Sequence, residues 1–125
     1  MTDFRSTCPV ASALDIIGDK WTLVVLRSIM LGKRRYSEFL EMPENISTNI
    51  LADRLNLLER EGLLSKHAYQ QRPTRHEYRL TEKGADLLPV VQALMDWSYK
   101  YIPDRLQVPE QYRTSKPQDL YPQGV

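Results

Sequence analysis

Three groups of side chains in this sequence could do chemistry. The first is Ser47-Thr48-Asn49, whose hydroxyls and carboxamide both donate and accept hydrogen bonds. The second is cationic: Lys33-Arg34-Arg35, and then Arg72 and Arg75 within "QQRPTR". Guanidinium and ammonium groups suit phosphate oxygens, and an asparagine amide suits the paired donor and acceptor of an adenine edge. The third is the lone thiol of Cys8, directly before Pro9. Bond-breaking chemistry lacks its parts. His67 and His76 are the only histidines, and no cysteine or carboxylate cluster accompanies them at metal-ligand spacing. Gly18, Gly32, Gly62, Gly84 and Gly124 are too scattered for a phosphate-cradling loop. The sequence therefore predicts no enzyme, no metal site and no cofactor.

The polar groups need elements to carry them. "ISTNILADRLNLLEREGLL" has Leu51, Leu55 and Leu58 at i, i+4, i+7, while Asn49, Asp53, Asn56 and Arg60 share another face. This predicts an amphipathic helix capped by Ser47 and ended by Gly62, with Thr48 and Asn49 at its amino end. Arg54 on that helix either reaches outward or pairs with Glu59, Glu61 or another carboxylate of the domain. Upstream, "PVASALDIIG" reads as a short helix with Pro9 in its first turn, and "KWTLVVLRSIMLG" as a buried helix capped by Asp19 and ended at Gly32. "KRRYSEFLEM" gives a basic turn and a short helix capped by Ser37. Downstream, "LLSKHAYQ" and "RHEYRL" are β-prone runs around a basic tip, a hairpin signal.

"TEKGADLLPVVQALMDWSYKYI" reads as one long helix from Thr81, bent at Pro89. Its apolar band, with Leu87, Val91, Leu94 and Tyr101 in one stripe and Met95 in the next, has little domain left to cover it. A second subunit is expected there. From Pro103 the chain holds four of its eight prolines and little periodicity, which predicts an extended or partly ordered tail. The expected organisation is an arm over 1–7, a domain over 8–102 and a Pro-rich tail over 103–125.

A helix, a turn, a second capped helix and then a hairpin with a basic tip is the order of a winged helix-turn-helix. The predicted class is thus mainly α with a small β-hairpin, dimerising through terminal helices. The 125 residues suit one domain, and 42% hydrophobic with 26% charged residues suits a folded chain. The longest apolar run is too short to cross a bilayer and "MTDFRSTCPV" has no export signal, so a cytoplasmic location without membrane association is expected. Net charge is only +1, but Lys20 to Lys83 hold twelve Lys/Arg against eight Asp/Glu. The middle is the basic part.

"CPVASALDIIGDKWTLVVLRSIMLGKRRYSEF", "ISTNILADRLNLLEREGLL" and "RPTRHEYRLTEKGADLLPVVQAL" resemble the signature blocks of HxlR-type winged helix-turn-helix regulators, in order and spacing, over about Cys8 to Ile102. The resemblance implies a homodimer on a roughly palindromic double-stranded DNA operator, repressing or activating. Lys33, Arg34, Arg35, Ser47, Thr48, Asn49, Arg54, Arg72 and Arg75 are then the candidate DNA contacts. Some relatives sense oxidants, quinones or aldehydes through the cysteine matching Cys8, and some use a second cysteine that this chain lacks. Cys8 is accordingly either a structural thiol or a sensor. If it senses, that leaves a bridge between two copies of Cys8, a mixed disulfide or alkylation. A small-molecule effector between the long helices and the core is compatible with all of this. The competing reading is a winged helix that contacts protein instead of specific DNA.

Overall fold

The computed structural model describes residues 3–121. Residues 1–2 of the expected arm and 122–125 of the expected tail lie outside that range. Helix α1 (Pro9–Ile17) starts with Pro9 in its first turn, where a missing N–H costs nothing, and the Cys8 Sγ accepts from the Ala11 N–H at 3.5 Å. Asp19 Oδ2 accepts from the N–H groups of Trp21 and Thr22 at 2.9 and 3.1 Å and so opens α2 (Thr22–Met30). Val25, Leu26 and Ile29 of α2 are fully buried, which makes it the central helix.

Gly32, at φ +107°, ends α2 in the left-handed region that favours glycine, and the Lys33 N–H reaches back to the Ser28 carbonyl at 3.0 Å. Helix α3 (Tyr36–Leu40) is not capped by Ser37 as the sequence suggests. The Glu38 carboxylate instead accepts from the N–H groups of Arg34 and Arg35, both at 2.9 Å, so the helix begins earlier. Ser47 caps α4 (Thr48–Arg60) as expected, accepting from the Ile50 N–H at 3.2 Å. Leu51, Leu55 and Leu58 face the core.

Strands β1 (Leu64–Gln71) and β2 (Thr74–Leu80) pair antiparallel, with Leu64 opposite Leu80 and Gln71 opposite Thr74. The register slips between Ala68 and Gln70, leaving Tyr69 as the extra residue of a bulge. Arg35 bridges Glu77, and the Tyr78 N–H donates to the Arg34 carbonyl at 2.7 Å, so the segment before α3 lines the hairpin's edge.

The expected long helix is two. Helix α5 (Glu82–Ala85) is capped by Thr81, and α6 (Leu88–Tyr101) begins with Pro89 in its first turn. A proline after a break satisfies its missing donor at no cost, whereas within a continuous helix it would lose a bond and clash. The tail also differs from expectation: it forms α7 (Glu110–Thr114) and α8 (Pro117–Leu120), and Leu120 packs against the core. Gln92 holds it by donating to the carbonyls of Tyr112 and Ser115 at 3.1 and 2.8 Å. The rest of the domain buries apolar side chains from every element between α2 and α6, so the core is single.

Gly84 sets how closely α5 approaches the start of β1. A Cβ there would lie 2.0 Å from the Leu63 carbonyl oxygen, well inside contact distance. Gly84→Ala is therefore expected to lower unfolding stability by about 2–3 kcal/mol, the upper range for overpacking. Urea unfolding checks this, and an unchanged midpoint would mean that the backbone at Leu63 yields freely.

Candidate nucleic-acid interface

Helix α4 divides its residues cleanly. Leu51, Leu55 and Leu58 are buried and Leu57 is half-buried, while Thr48, Asn49, Ala52, Asp53, Asn56 and Arg60 are exposed. Helix α3 is pinned to its amino end by the Tyr36 hydroxyl, which donates to the Thr48 carbonyl at 2.9 Å. Tyr36 is not among the residues that the sequence singles out. No pattern of spacing announces a phenol that fixes the turn between two helices.

Among the candidate cations the structure separates two kinds. Arg54 lies inward: its Nε is 3.2 Å from Asp19 Oδ2 and otherwise has no hydrogen-bond partner, so it serves the Asp19 pairing more than an outside ligand. Arg34 is committed as well, with Nη1 donating to the carbonyls of Ile29 and Lys33 at 3.2 and 3.5 Å, where it satisfies the end of α2. Arg35 is exposed, and its guanidinium lies 3.8 Å from the ring centre of Tyr69, the bulge residue of β1. Arg72 and Arg75 are exposed at and beside the hairpin tip, and Lys33 is half-buried. Among the described residues no salt bridge engages Lys33, Arg35, Arg72 or Arg75. These four cations, with Thr48 and Asn49, make up the accessible set. Ser47 joins them, since a hydroxyl that accepts from a helix N–H can still donate its own hydrogen.

Two carboxylates hold this frame. Burial raises the pKa of Asp19, but the Thr22 hydroxyl, the N–H groups of Trp21 and Thr22 and the Arg54 guanidinium together pull it below the ordinary aspartate value. Glu38 is lowered chiefly by the N–H groups of Arg34 and Arg35. Within the hairpin, Glu77 is lowered first by its bond from Arg79, which reaches it at 2.6 Å. His67 bonds Ser65 at 2.8 Å across an exposed strand surface, and His76 sits opposite Ala68, so the two histidines behave as strand residues. Among the described residues, no group of three or more His, Cys, Asp or Glu could hold a metal ion, and no helix is long and apolar enough to cross a membrane.

The expected pairing stripe on α6 is rotated from its predicted position. Val91 is only 7% exposed and belongs to the chain's own core, and Leu87 and Met95, half-buried, pack against that core. They are covered within the chain because α2 and the folded tail occupy that side. Leu94 and Tyr101, at 52% and 61%, do face outward, together with Val90 and Trp97. The series 90, 94, 97, 101 is itself a helical i, i+4, i+7, i+11 pattern, so the signal for Trp97 was present in the sequence. Val10 and Leu14 of α1 are also exposed.

A family model described as HxlR-like helix-turn-helix matches residues 16–106. The chain belongs to the HxlR-like family. An uncharacterized HTH-type transcriptional regulator of Bacillus subtilis (strain 168), YdeP, is 41% identical over 99 residues, 79% of this chain and 77% of YdeP. The crystal structure of PA1607 superposes with a TM-score of 0.73 at 36% identity, covering 83% of this chain and 73% of the other. The redox regulator HypR in its oxidized form superposes with a TM-score of 0.68 at 34% identity, covering 81% and 100%. The HxlR-like family is one of transcriptional regulators and not of enzymes, and the fold here is its winged helix-turn-helix.

In this HxlR-like domain the lowered pKa of Asp19 has a sign. A carboxyl whose folded pKa lies below its unfolded value stabilises fully above the unfolded value, about 3.9, and that contribution fades as pH falls through the folded one. Asp19→Asn, which can still cap α2 but loses the charge that faces Arg54, should cost about 1 kcal/mol at neutral pH, the scale of a partly exposed ion pair. The gap from wild type should close as pH falls below the ordinary aspartate value and on through the lowered folded one, where the native carboxyl itself becomes protonated. Thermal unfolding between neutral and acid pH measures it, and a gap of constant size would assign the effect to shape instead of charge.

Proposed function

We propose that two copies pair through α1 and α6 and bind a specific, roughly palindromic double-stranded DNA operator, with one α4 per subunit in the major groove. The observation that carries this reading is the amino end of α4. There Thr48 and Asn49 stand exposed while Tyr36 and Ser47 fix the backbone beneath them. Thr48 and Asn49 read base edges, and Ser47, Lys33, Arg35, Arg72 and Arg75 hold phosphates. Arg34 and Arg54 position these elements instead of touching DNA. Half-sites are then about 34 Å apart, or a multiple of that. Residues 8–102 carry reading and pairing, with 1–7 and 103–125 as flanks. The place of action is the cytoplasm, where the operator lies.

Selection of bound duplexes from a random pool supplies the operator and tests the reading. On it, Asn49→Ala should lose about 1–3 kcal/mol of discrimination between operator and random duplex. Arg72→Ala should weaken both alike and reduce the slope of log K against log salt by roughly one. Salt-independent binding, or no enrichment of any sequence, would favour the protein-contact alternative.

Pairing rests on the outward stripe of α6, where Trp97 and Tyr101 stack with ring centres 5.5 Å apart. Placing a charge there, as in Trp97→Glu, should shift sedimentation from dimer to monomer. It should also weaken operator binding roughly tenfold or more, equivalent to about 1.4 kcal/mol. An unaltered dimer would locate the contact elsewhere.

The free Cys8 thiol is exposed at the start of α1. A thiol at the positive end of a helix dipole, on an element proposed to pair, is placed to report modification as a change in subunit geometry. The naming of HypR as a redox regulator supports testing it. Diamide or a quinone is expected to change operator affinity of the wild type and not of Cys8→Ser. Equal binding by both proteins, treated or untreated, would leave Cys8 a structural cap.

A further inference from the structure

The tail folds back to roof a cavity of about 640 Å³ between α2 and α6. Beyond Gln92, Tyr99 fastens this roof: its hydroxyl donates to the Leu106 carbonyl at 2.7 Å and accepts from the Val108 N–H at 2.9 Å. The family match ends at residue 106, so the wall made by Val108, Tyr112, Ser115 and Leu120 lies beyond the matched residues.

We infer that this cavity binds a free, drug-sized hydrophobic organic anion. Its volume is in the range of small-molecule sites, about 300–1,000 Å³. Leu23, Val24, Met95, Leu106, Tyr112 and Leu120 offer an apolar body-sized surface. The charged lining then sets the sign of the occupant. Arg27 is neutralised by Glu44, with guanidinium contacts of 2.9 and 3.2 Å. Lys33 and Glu41 contribute one charge of each sign, so the lining as a whole carries a net +1, and Arg105 is the cation that its tail side supplies. Arg105 donates one bond, from Nε to the Pro103 carbonyl at 3.2 Å, and meets no carboxylate within salt-bridge distance among the described residues. An acid group at Arg105 with an apolar or aromatic body directed inward satisfies both the charge and the lining, whereas a cation would face repulsion. Use of this site to control operator affinity rests on the regulator reading above; occupancy of the cavity does not.

The test uses the full chain without DNA and two fluorescent probes of nearly one shape: 8-anilino-1-naphthalenesulfonate, an anion, and N-phenyl-1-naphthylamine, which is neutral. The anion should bind saturably, one per subunit, and roughly fivefold more tightly than the neutral probe, the scale of one partly exposed charge pair. Arg105→Gln should remove that preference and leave the neutral probe unaffected. Ser98→Phe, which fills the cavity from a half-buried position on α6, should abolish binding of both. Equal affinity for the two probes, wild-type anion binding by Arg105→Gln, or unsaturable fluorescence each overturns the inference. So does anion binding that survives a folded Ser98→Phe, because that signal would come from the outer stripe of α6. If Ser98→Phe does not fold, the surface substitution at Arg105 decides alone. Operator binding is read separately, so either reading can fail without the other.

Discussion

Asp19 stands between α1 and α2 and performs two tasks at once: it accepts from the N–H groups of Trp21 and Thr22, and its Oδ2 faces Arg54 on α4. An isolated cap would fix only where α2 begins. An isolated ion pair on the surface would contribute little, because water screens it and two side chains lose freedom. Joined at one carboxylate, they make the start of the central helix and the rotation of α4 a single geometric condition. Arg54 occupies the polar side of α4 nearest the domain, so its pairing decides which residues of that helix turn outward. Thr48 and Asn49 are exposed because Leu51, Leu55 and Leu58 are buried and Arg54 is tied.

The hairpin is coupled to the same frame at both ends. At its edge, Glu38 gathers the N–H groups of Arg34 and Arg35 to start α3, and the Arg34 carbonyl receives the Tyr78 N–H. One turn of chain therefore ends α2, starts α3 and pairs with β2. At its base, the Thr81 hydroxyl donates to the Gly62 carbonyl and Lys83 Nζ to the Glu61 carbonyl, both at 2.6 Å. Gly62, at φ +76°, turns the chain out of α4 just there. The wing thus inherits its direction from α4, and the cations at its tip keep a fixed relation to that helix without touching it.

Much of this was legible in the sequence where the cause is local. Ser47, Thr81, Gly32 and Gly62 act through bonds within a few residues, and leucine spacing states which side of α4 is buried. Where the cause is distant, sequence gave only a class of answers. Arg54 was open between an outside ligand and an internal carboxylate, since its partner lies 35 positions away at Asp19. The tail read as extended because prolines interrupt periodicity, yet Gln92 and Tyr99 organise it through side-chain bonds to its backbone that no pattern in the tail displays. That folded tail also explains the rotated stripe on α6. By covering the side of Val91 and Met95, it leaves Val90, Leu94, Trp97 and Tyr101 as the apolar surface that remains.

Charge distribution reinforces the division between structural and accessible cations. Arg5, Arg27, Arg54, Arg79 and Arg113 stand within 4.0 Å of carboxylates, and these pairs neutralise them in place. Among the described residues no carboxylate comes within 4.0 Å of Lys33, Arg35, Arg72 or Arg75, so their charge is left largely to solvent and mobile ions. A net charge of +1 hides this, because neutralised pairs count equally in the sum. A polyanion that displaces mobile ions gains their entropy, whereas one that must break an internal pair loses the pairing energy first. The turn before α3 and the wing tip, which flank the exposed amino end of α4 in the order of the motif, thus offer cations that need no internal pair broken. Arg35 adds a further constraint: stacked on Tyr69, its guanidinium is held by a bulge in β1, so a cation close to α3 moves with the wing.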